Sequence, residues 1–384
     1  MQKRVKMSKN ANLHKAKDAK NDEFYTQLND VANELKHYRP HFKDKIVLCN
    51  CDDPTWSAFW KYFHLNFELL GLKKLISTHY DREQATYKME YTGGDDNNIE
   101  AGIKTPLEGN GDFRNAECID LLKEADIVVT NEPFSLTREY IAQLVEYDKQ
   151  FLIIVNKNAI TYKEIFPLIK NDKIWLGCTN VKEFLQPDGT TKRFGNIGWF
   201  TNLDIQKRHE DLLKDCWKHF SEEEYPMYDN YCAWNINKVT DIFVDEDIEV
   251  VVDNEKLEQI KKVYGSDATV LEAVDSKTRV KIHHPVMGVP ITFLDKYNPE
   301  EFELLGLTTG RNEFDKIAHP TKRYVNAIQH NKNGTTTSGS KANTRATLIN
   351  NNAKNIYYTA DNADGKLEIV YARILIRRKE KSST

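Results

Sequence analysis

The sequence predicts an α/β fold built on a doubly wound, mostly parallel sheet, followed by a separate α+β module. Short apolar segments alternate with amphipathic helical stretches from about residue 21 to residue 205, which is the pattern of successive βαβ units. Segments such as "FLIIV" are apolar at every position and therefore suit strands that are covered on both faces. After residue 205 this regular alternation stops, which indicates a second module over residues 206–384.

The elements of the first region follow from its apolar runs. Helical periodicity lies near residues 55–70, 115–124, 136–148 and 161–170. The candidate strands are "KIVLCN" (45–50), "KKLIST" (73–78), "ADIVVT" (125–130), "FLIIVN" (151–156), "KIWLG" (173–177) and "IGWFTNL" (197–203).

The second region has a different texture. Residues 242–282 are acidic and combine an alternating run, "IEVVVD", with a helical one, "KLEQIKKVYG". The segment "MGVPITFLDKYNPEEFELLGL" (287–307) predicts a strand, a turn and a helix. Residues 333–352 are polar and predict a loop, whereas "GKLEIVYARILIRRK" predicts a final strand.

Composition narrows the class of protein. Hydrophobic residues make up 40% of the 384, so a core can be buried and global disorder is excluded. No apolar run reaches the length of a membrane span, and the basic N-terminus lacks the apolar segment of a signal peptide. The six cysteines fit a reducing compartment, and only Cys49 and Cys51 are closely spaced, which indicates packing rather than a metal site. We therefore expect a cytoplasmic protein that holds no metal.

Positive charge concentrates at the two ends of the chain. The net charge is −4, yet residues 1–20 form a basic arm with seven Lys and Arg and one acidic residue. The C-terminus repeats this pattern between Arg373 and Lys381. Such arms can lie along phosphates or can be solvated tails, and charge alone leaves both alternatives open.

Polar side chains follow the ends of three predicted strands, where ligands bind in a doubly wound sheet. Asp52 and Asp53 follow "IVLCN", Asp81 follows "KKLISTHY", and Asn131-Glu132-Pro133-Phe134 follows "ADIVVT". Upstream of the last strand, a carboxylate and an aromatic ring are adjacent at Asp112-Phe113. Such a pair can accept a hydrogen bond from an adenine amino group and cover its ring.

These residues match a family. The stretch "GDFRNAECIDLLKEADIVVTNEPFSLTREY" resembles the adjoining adenosyl-binding and catalytic motifs of amino-methylating DNA methyltransferases, whose core is Asn-Pro-Pro-Tyr/Phe. The resemblance narrows to the EcoRI-type adenine-specific methyltransferases and covers about residues 12–240 and 285–310. The segments that carry it are "NDEFYTQ", "LCNCDDP", "GDFR", "FLIIVN", "YDNY" and "MGVPITFLDKYNPEEFEL".

The resemblance implies a function. It implies transfer of a methyl group from S-adenosylmethionine to N6 of an adenine flipped out of double-stranded DNA, in a restriction–modification or similar system. Residues 21–205 would form the cofactor-binding catalytic domain and residues 206–384 the target-recognition region, with 242–282 as an insertion. A cognate restriction endonuclease would belong to the same system, without a stable complex being implied.

The resemblance also implies the roles of individual residues. The Asn131 side chain and the main-chain carbonyl of Glu132 would accept the amino hydrogens of the target, and Phe134 would stack on its base. Trp199 or Phe200 would form a second wall of the base pocket, with core packing as the alternative. The residues implied in cofactor binding are Phe24, Tyr25, Thr26, Asn50, one of Asp52 and Asp53, Asp112 and Phe113.

Two departures from the family pattern bear on these roles. The loop "CDDPTW" lacks the Gly-x-Gly usual in nucleotide-binding loops. Glu132 stands where the family has proline, but its carbonyl remains, and Pro133 still confines it to extended conformations. We expect the carboxylate of Glu132 to face solvent or a nearby Lys or Arg.

Two other functions remain as alternatives. One is a catalytically silent DNA-binding relative, with Glu132 as the lesion. The other is a methyltransferase that acts on RNA or on a protein glutamine amide, since motifs of this kind serve those substrates too. The long second region and the EcoRI-type segments favour the DNA adenine methyltransferase.

Deletion of residues 1–18 tests the basic arm. If the arm tracks phosphates, its loss should weaken binding to all DNA sequences and lower the slope of log K against log salt by about 0.9 per lost contact. Cofactor affinity should not change. Titration of labelled duplexes at several salt concentrations measures the slope, and an unchanged slope would identify the arm as a solvated tail.

Overall fold

The computed structural model describes residues 25–81, 85–185, 190–212, 214, 218–309 and 316–380. These residues divide into two compact units between Gln206 and Lys207. The first unit contains one nine-stranded sheet, and the second contains sheets of four, three and five strands. The predicted basic arm, residues 1–20, and the predicted cofactor residue Phe24 lie outside the described residues.

The first unit is a sheet with helices between its strands. Each strand and helical stretch predicted from the sequence overlaps an observed element, and the stretch near 55–70 holds two helices. Its elements are β1 (Tyr25–Thr26), α1 (Leu28–Leu35), β2 (Ile46–Cys49), α2 (Ala58–Leu65), α3 (Phe67–Leu70), β3 (Lys74–His79), β4 (Tyr87–Tyr91), β5 (Ile103–Pro106), α4 (Ala116–Glu124), β6 (Ile127–Asn131), α5 (Thr137–Glu146), β7 (Gln150–Asn156), α6 (Phe166–Lys170), β8 (Trp175–Leu185) and β9 (Thr191–Thr201).

The sheet has a parallel centre and antiparallel flanks. Its order is β1-β8-β9-β7-β6-β2-β3-β4-β5, and the strands β3, β2, β6 and β7 run parallel. The central strands are buried throughout, as at Val47 and Ile153, because helices cover both faces. The strands β4 and β5, which pair antiparallel beyond β3, were not predicted, since β5 is mostly exposed and has no apolar alternation.

The winding of the sheet locates a ligand site. From β2 the chain passes to β3 on one side, and it later returns to β6 on the other side of β2. The carboxyl ends of β2 and β6 therefore flank a topological switch point, where α/β sheets of this kind bind ligands. Asn50–Asp53 and Asn131–Phe134 follow those two strand ends.

The second unit is rich in short strands. Its three sheets have the orders β10-β14-β21-β15, β11-β13-β12 and β17-β16-β19-β20-β18. Its elements are β10 (Trp234–Asn235), β11 (Asp247–Val252), α7 (Asn254–Tyr264), β12 (Ala268–Val274), β13 (Lys277–His283), β14 (Met287–Pro290), β15 (Phe302–Leu307), β16 (Ile328–His330), β17 (Thr336–Ser338), β18 (Thr347–Ile349), β19 (Tyr357–Thr359), β20 (Leu367–Ile369) and β21 (Arg373–Arg378).

Two predictions for this unit were wrong. The helix expected at the end of 287–307 is the strand β15, because pairing with β21 buries its apolar side chains and outweighs the local helical pattern. The loop expected over 333–352 contains β17 and β18, whose polar residues pair within the five-stranded sheet. The predicted final strand is observed as β20 and β21.

The segment 242–282 contains a strand, a helix and a hairpin. The strands β11 and β12 flank β13 in an antiparallel sheet. Apolar residues of the strands and of α7 are buried together, and they are Ile248, Val250, Leu257, Ile260, Val280 and Ile282.

The motif "YDNY" (228–231) links distant parts of the second unit. The Asn230 amide donates to the main-chain oxygen of Arg345 at 2.8 Å, and its oxygen accepts the N–H of Thr347 at 3.0 Å. The Tyr228 hydroxyl lies 3.2 Å from the oxygen of Gly288 in "MGVP". A Cβ at Gly288 would lie 2.4 Å from that hydroxyl, so this close approach requires glycine.

Asn230→Ala tests this linkage. The substitution leaves the Thr347 N–H and the Arg345 carbonyl unpaired in the interior, so we expect it to lower the free energy of unfolding by about 2–4 kcal/mol. Urea denaturation measures the change. The exposed Asn352→Ala is the control and should stay within about 0.5 kcal/mol; equal effects of the two substitutions would contradict a linking role for Asn230.

Candidate active site

Asp52 joins the two strand ends at the switch point. Its carboxylate is 3% exposed and accepts a hydrogen bond from the Ser57 hydroxyl at 3.1 Å. On the other side it accepts the Thr130 hydroxyl and the main-chain N–H of Asn131, the latter at 3.3 Å. Asp52, the third residue after β2, therefore fixes the last residues of β6. Burial raises the pKa of Asp52 to about 6, although the hydrogen bonds from Thr130, Ser57 and Asn131 favour its charged form.

Asn50 lies at the same place and contacts two further elements. Its main-chain oxygen accepts the Thr78 hydroxyl at 2.8 Å, which ties it to β3. Its side-chain oxygen accepts the hydroxyl of Tyr140 in α5. The amide nitrogen of Asn50 is buried without a hydrogen-bond partner among the described residues. A polar ligand bound at the switch point would give this amide nitrogen a hydrogen-bond partner.

Asp53 faces the antiparallel flank of the sheet. One carboxylate oxygen accepts the Tyr87 hydroxyl at 3.0 Å and the N–H of Thr55 at 2.8 Å. The other lies 2.8 Å from Nδ1 of His79, at the end of β3. Both Asp52 and Asp53 thus have protein donors, and the choice between them as the cofactor residue stays open.

Arg114 holds the carboxylate of Asp112. The guanidinium contacts the two Asp112 oxygens at 2.9 and 2.7 Å and reaches Glu139 of α5 at 2.8 Å. Phe113 is buried, and its ring meets Tyr140 edge to face at 4.9 Å. Because Tyr140 also donates to Asn50, the Asp112-Phe113 pair is linked to the end of β2. The sequence analysis missed Arg114, since nothing in the sequence indicates that residues 114 and 139 meet.

The motif Asn131–Phe134 begins at the end of β6. Asn131 pairs with Ile154 of β7, and the oxygen of Pro133 accepts the N–H of Leu136 at 2.7 Å in a turn that precedes α5. The carboxylate of Glu132 was expected from the sequence to face solvent or a nearby Lys or Arg, but the side chain does not face solvent. It is 2% exposed and accepts the hydroxyl of Thr137 at 2.5 Å, because the turn brings the first residue of α5 back to it.

Phe134 starts a row of aromatic rings. It is half-buried and meets Phe184 of β8 edge to face at 6.3 Å, and Phe184 meets Phe194 of β9 at 5.6 Å. Trp199 and Phe200 are buried, and Trp199 packs against Phe59, which favours the core alternative for both. The sequence analysis did not select Phe184 and Phe194, although aromatic residues on facing strands of a hairpin were visible signals.

The predicted cofactor residues Tyr25 and Thr26 form the edge strand β1. They pair with Leu185 and Phe184, so β1 lies beside the hairpin that contacts Phe134. Thr26 is buried, and its hydroxyl has no hydrogen-bond partner among the described residues. Phe184 thus connects this segment to Phe134 of the predicted catalytic motif.

A family model described as adenine-specific methyltransferase EcoRI matches residues 12–259 and 272–379. The chain belongs to this family. The match leaves out residues 260–271, which lie within the segment 242–282 that the sequence analysis expected to be an insertion, and that expectation stays a prediction.

Three curated relatives cover most of the chain. The type II methyltransferase M.EcoRI of Escherichia coli is 42% identical over 85% of this chain and 99% of its own length. M.MpnI of Mycoplasma pneumoniae is 34% identical over 76% of this chain and 84% of its own length. M.MgeORF184P of Mycoplasma genitalium is 33% identical over 82% of this chain and 94% of its own length. No solved structure matches the chain.

The described residues contain neither a membrane-spanning helix nor a cluster of metal-binding side chains. No helix among them is long and apolar enough to cross a membrane. In the same part of the chain, no group of three or more His, Cys, Asp or Glu side chains is arranged to hold a metal ion.

The raised pKa of Asp52 predicts a pH-dependent stability. Between pH 3.8, the ordinary Asp pKa, and about 6, the folded chain holds a proton on Asp52 that the unfolded chain lacks. The contribution of Asp52 to stability is therefore full below the lower value and is lost as pH rises through the upper one. Asp52→Asn removes this dependence. The free energy of unfolding of the unchanged protein, minus that of the variant, should rise by up to about 3 kcal/mol as pH falls through this window. Urea denaturation at several pH values measures it, and a difference that is flat with pH would contradict the assignment.

Proposed function

We propose that the chain transfers the methyl group of S-adenosylmethionine to N6 of an adenine extruded from double-stranded DNA, as the modification enzyme of a type II restriction–modification system. Membership of the adenine-specific EcoRI family and the similarity to three type II methyltransferases support the proposal. One observation carries it. Asp52 joins the end of β2 to Asn131, so the predicted cofactor loop and the predicted catalytic motif are adjacent at the carboxyl ends of β2 and β6.

The residues beside these strand ends have side chains of the kinds that would bind the cofactor. Phe113 offers an aromatic ring, Asp112 offers a carboxylate for an adenine amino group, and the buried amide of Asn50 is a donor without a partner among the described residues. When bound, the cofactor supplies an electrophilic methyl group on its sulfonium. The Arg114 guanidinium contacts both Asp112 oxygens, and the Arg114 main-chain N–H donates to Asp112 Oδ1 at 2.9 Å. These bonds orient the carboxylate that is proposed to accept the amino group.

The catalytic motif would activate the target. N6 of adenine is a poor nucleophile, because its lone pair is delocalised into the ring. The side-chain oxygen of Asn131 and the main-chain oxygen of Glu132 accept the amino hydrogens and favour a pyramidal nitrogen in the transition state. The ring of Phe134 supports the extruded base by stacking, which contributes about 1–3 kcal/mol.

The second unit is proposed to read the DNA sequence. A duplex presents its base edges in the major groove, and recognition there needs polar side chains on a rigid scaffold. The five-stranded sheet, tied to Asn230 through Thr347, supplies such a scaffold with exposed Thr and Asn side chains. The basic arm at residues 1–20 would add contacts to phosphates.

A silent DNA-binding relative is the competing function, and Glu132 is the observation behind it. The two functions are separated by single-turnover methylation of unmethylated genomic DNA, followed by digestion to nucleosides. N6-methyladenine in DNA supports the proposal, whereas DNA binding without product supports the silent relative. In parallel assays with RNA and with a glutamine-containing peptide, methylation of one of these substrates and not of DNA would support the other alternative.

Substitutions in the motif test its proposed roles. Asn131→Ala removes an acceptor that acts mainly in the transition state, so turnover should fall about a hundredfold or more. Phe134→Ala should have a smaller effect, and a mismatched target should partly restore its rate because extrusion is then easier. Single-turnover rates on matched and mismatched duplexes measure both. An Asn131→Ala rate within about threefold of the unchanged protein would remove Asn131 from the chemistry.

Cofactor affinity tests the Asp112 and Arg114 pair. Asp112→Ala should weaken binding of S-adenosylmethionine by about 1–3 kcal/mol, since the adenine amino group loses its acceptor. Arg114→Ala leaves the Asp112 carboxylate in place but no longer fixes its orientation. This substitution should therefore weaken binding by less than Asp112→Ala does. Calorimetry measures both affinities. If only Arg114→Ala weakened binding, the cofactor contact would belong to Arg114 and not to Asp112.

A further inference from the structure

The catalytic motif departs from its family at Glu132, and the structure turns this side chain inward. Its carboxyl group is 2% exposed at the start of the turn between β6 and α5. Thr137, the first residue of α5, donates its hydroxyl to Glu132 Oε1 at 2.5 Å. The same hydroxyl oxygen lies 3.1 Å from the main-chain oxygen of Phe134. One threonine side chain therefore contacts the motif at two of its four residues.

We propose that Glu132 is a positioning residue, whose buried side chain, held by Thr137, fixes the Asn131–Phe134 turn that a second proline restricts in the family pattern. The proposal rests on the proposed function, because it assigns Glu132 to the geometry of the same reaction. Glu132 takes no part in proton transfer. Its main-chain oxygen acts on the target amino group, and its side chain sets where that oxygen points.

The physical reason is the loss of a proline ring. A proline fixes its φ angle near −65°, and replacing it by another residue adds conformational freedom. Pro133 still confines Glu132 to extended conformations, but the φ angle of Glu132 is no longer fixed by a ring. The buried hydrogen bond from Thr137 restricts the same segment, so it can take the place of the missing ring.

The helix that carries Thr137 also contacts residues that are proposed to bind the cofactor. Tyr140, one turn further along α5, donates to Asn50 at the end of β2 and packs against Phe113. Anchoring Glu132 to Thr137 therefore ties Glu132 to the same helix that contacts the proposed cofactor-binding residues Asn50 and Phe113. This arrangement explains why an inward carboxyl group is compatible with a working motif.

Paired substitutions test the anchor. Thr137→Val keeps the size of the side chain and removes its hydroxyl, whereas Thr137→Ser keeps the hydroxyl. We expect Thr137→Val to lower the single-turnover methylation rate about tenfold, with cofactor affinity within about twofold, and Thr137→Ser to restore most of the rate. Glu132→Ala should lower the rate by a similar factor. Glu132→Gln and Glu132→Pro should lower it less, because an amide oxygen accepts the same bond and a proline ring restores the φ restriction.

A double-substitution cycle separates a shared anchor from two independent effects. The rate of Glu132→Ala/Thr137→Val should be no lower than that of either single variant, since either change already breaks the bond. Glu146→Ala, an exposed glutamate at the end of the same helix, is the matched control and should leave the rate unchanged. Additive losses, a Thr137→Val rate equal to that of the unchanged protein, or a parallel fall in cofactor affinity would each overturn the proposal.

A second measurement keeps this proposal distinct from the proposed function. The same cycle, followed by urea unfolding of the four proteins, measures the coupling of Glu132 and Thr137 without any methylation. Coupling in a chain that does not methylate DNA would support the anchor and reject the proposed function. Methylation by the unchanged chain with no coupling in either cycle would reject the anchor and leave the proposed function standing.

Discussion

The site depends on one buried carboxylate at the switch point of the sheet. Asp52 accepts hydrogen bonds from Ser57 at the start of α2 and from Thr130 and Asn131 at the end of β6. These contacts hold together two strand ends that are about eighty positions apart in the chain. Burial disfavours the charge of Asp52 and raises its pKa to about 6, so the hydrogen bonds are needed to keep a carboxylate there at neutral pH.

A second level of organisation comes from α5. Its first residue, Thr137, holds Glu132, and Tyr140 contacts both Asn50 and Phe113. Residues that would bind the cofactor and residues that would bind the target are thus fastened to the same helix. Rigid support of this kind matters for methyl transfer, because the donor and the acceptor must be aligned within a fraction of an ångström.

The chain also shows how a turn can accommodate an unusual residue in its interior. A charged side chain in place of proline is expected to point outwards, because burying an unpaired charge is costly. Here the turn brings a hydroxyl back to the carboxyl group, and the inward position becomes possible. In the second unit, a polar side chain likewise bonds to a segment brought close by the fold. The amide of Asn230 joins Arg345 and Thr347 across more than a hundred positions of sequence.

The sequence by itself determined the family, the parallel centre of the first sheet and the positions of Asn50, Asp52 and Asn131 at strand ends, because apolar periodicity and motif order are local properties. It did not predict β4, β5 or the strand at Phe302–Leu307, since their pairing partners and not their own patterns stabilise them. Only the tertiary structure decided the inward turn of Glu132, the hold of Arg114 on Asp112 and the burial of Trp199 and Phe200. Each of these depends on which side chain a distant or folded-back segment brings near. Burial and hydrogen bonding depend on which side chains are close in space, and the order of residues along the chain does not reveal those neighbours.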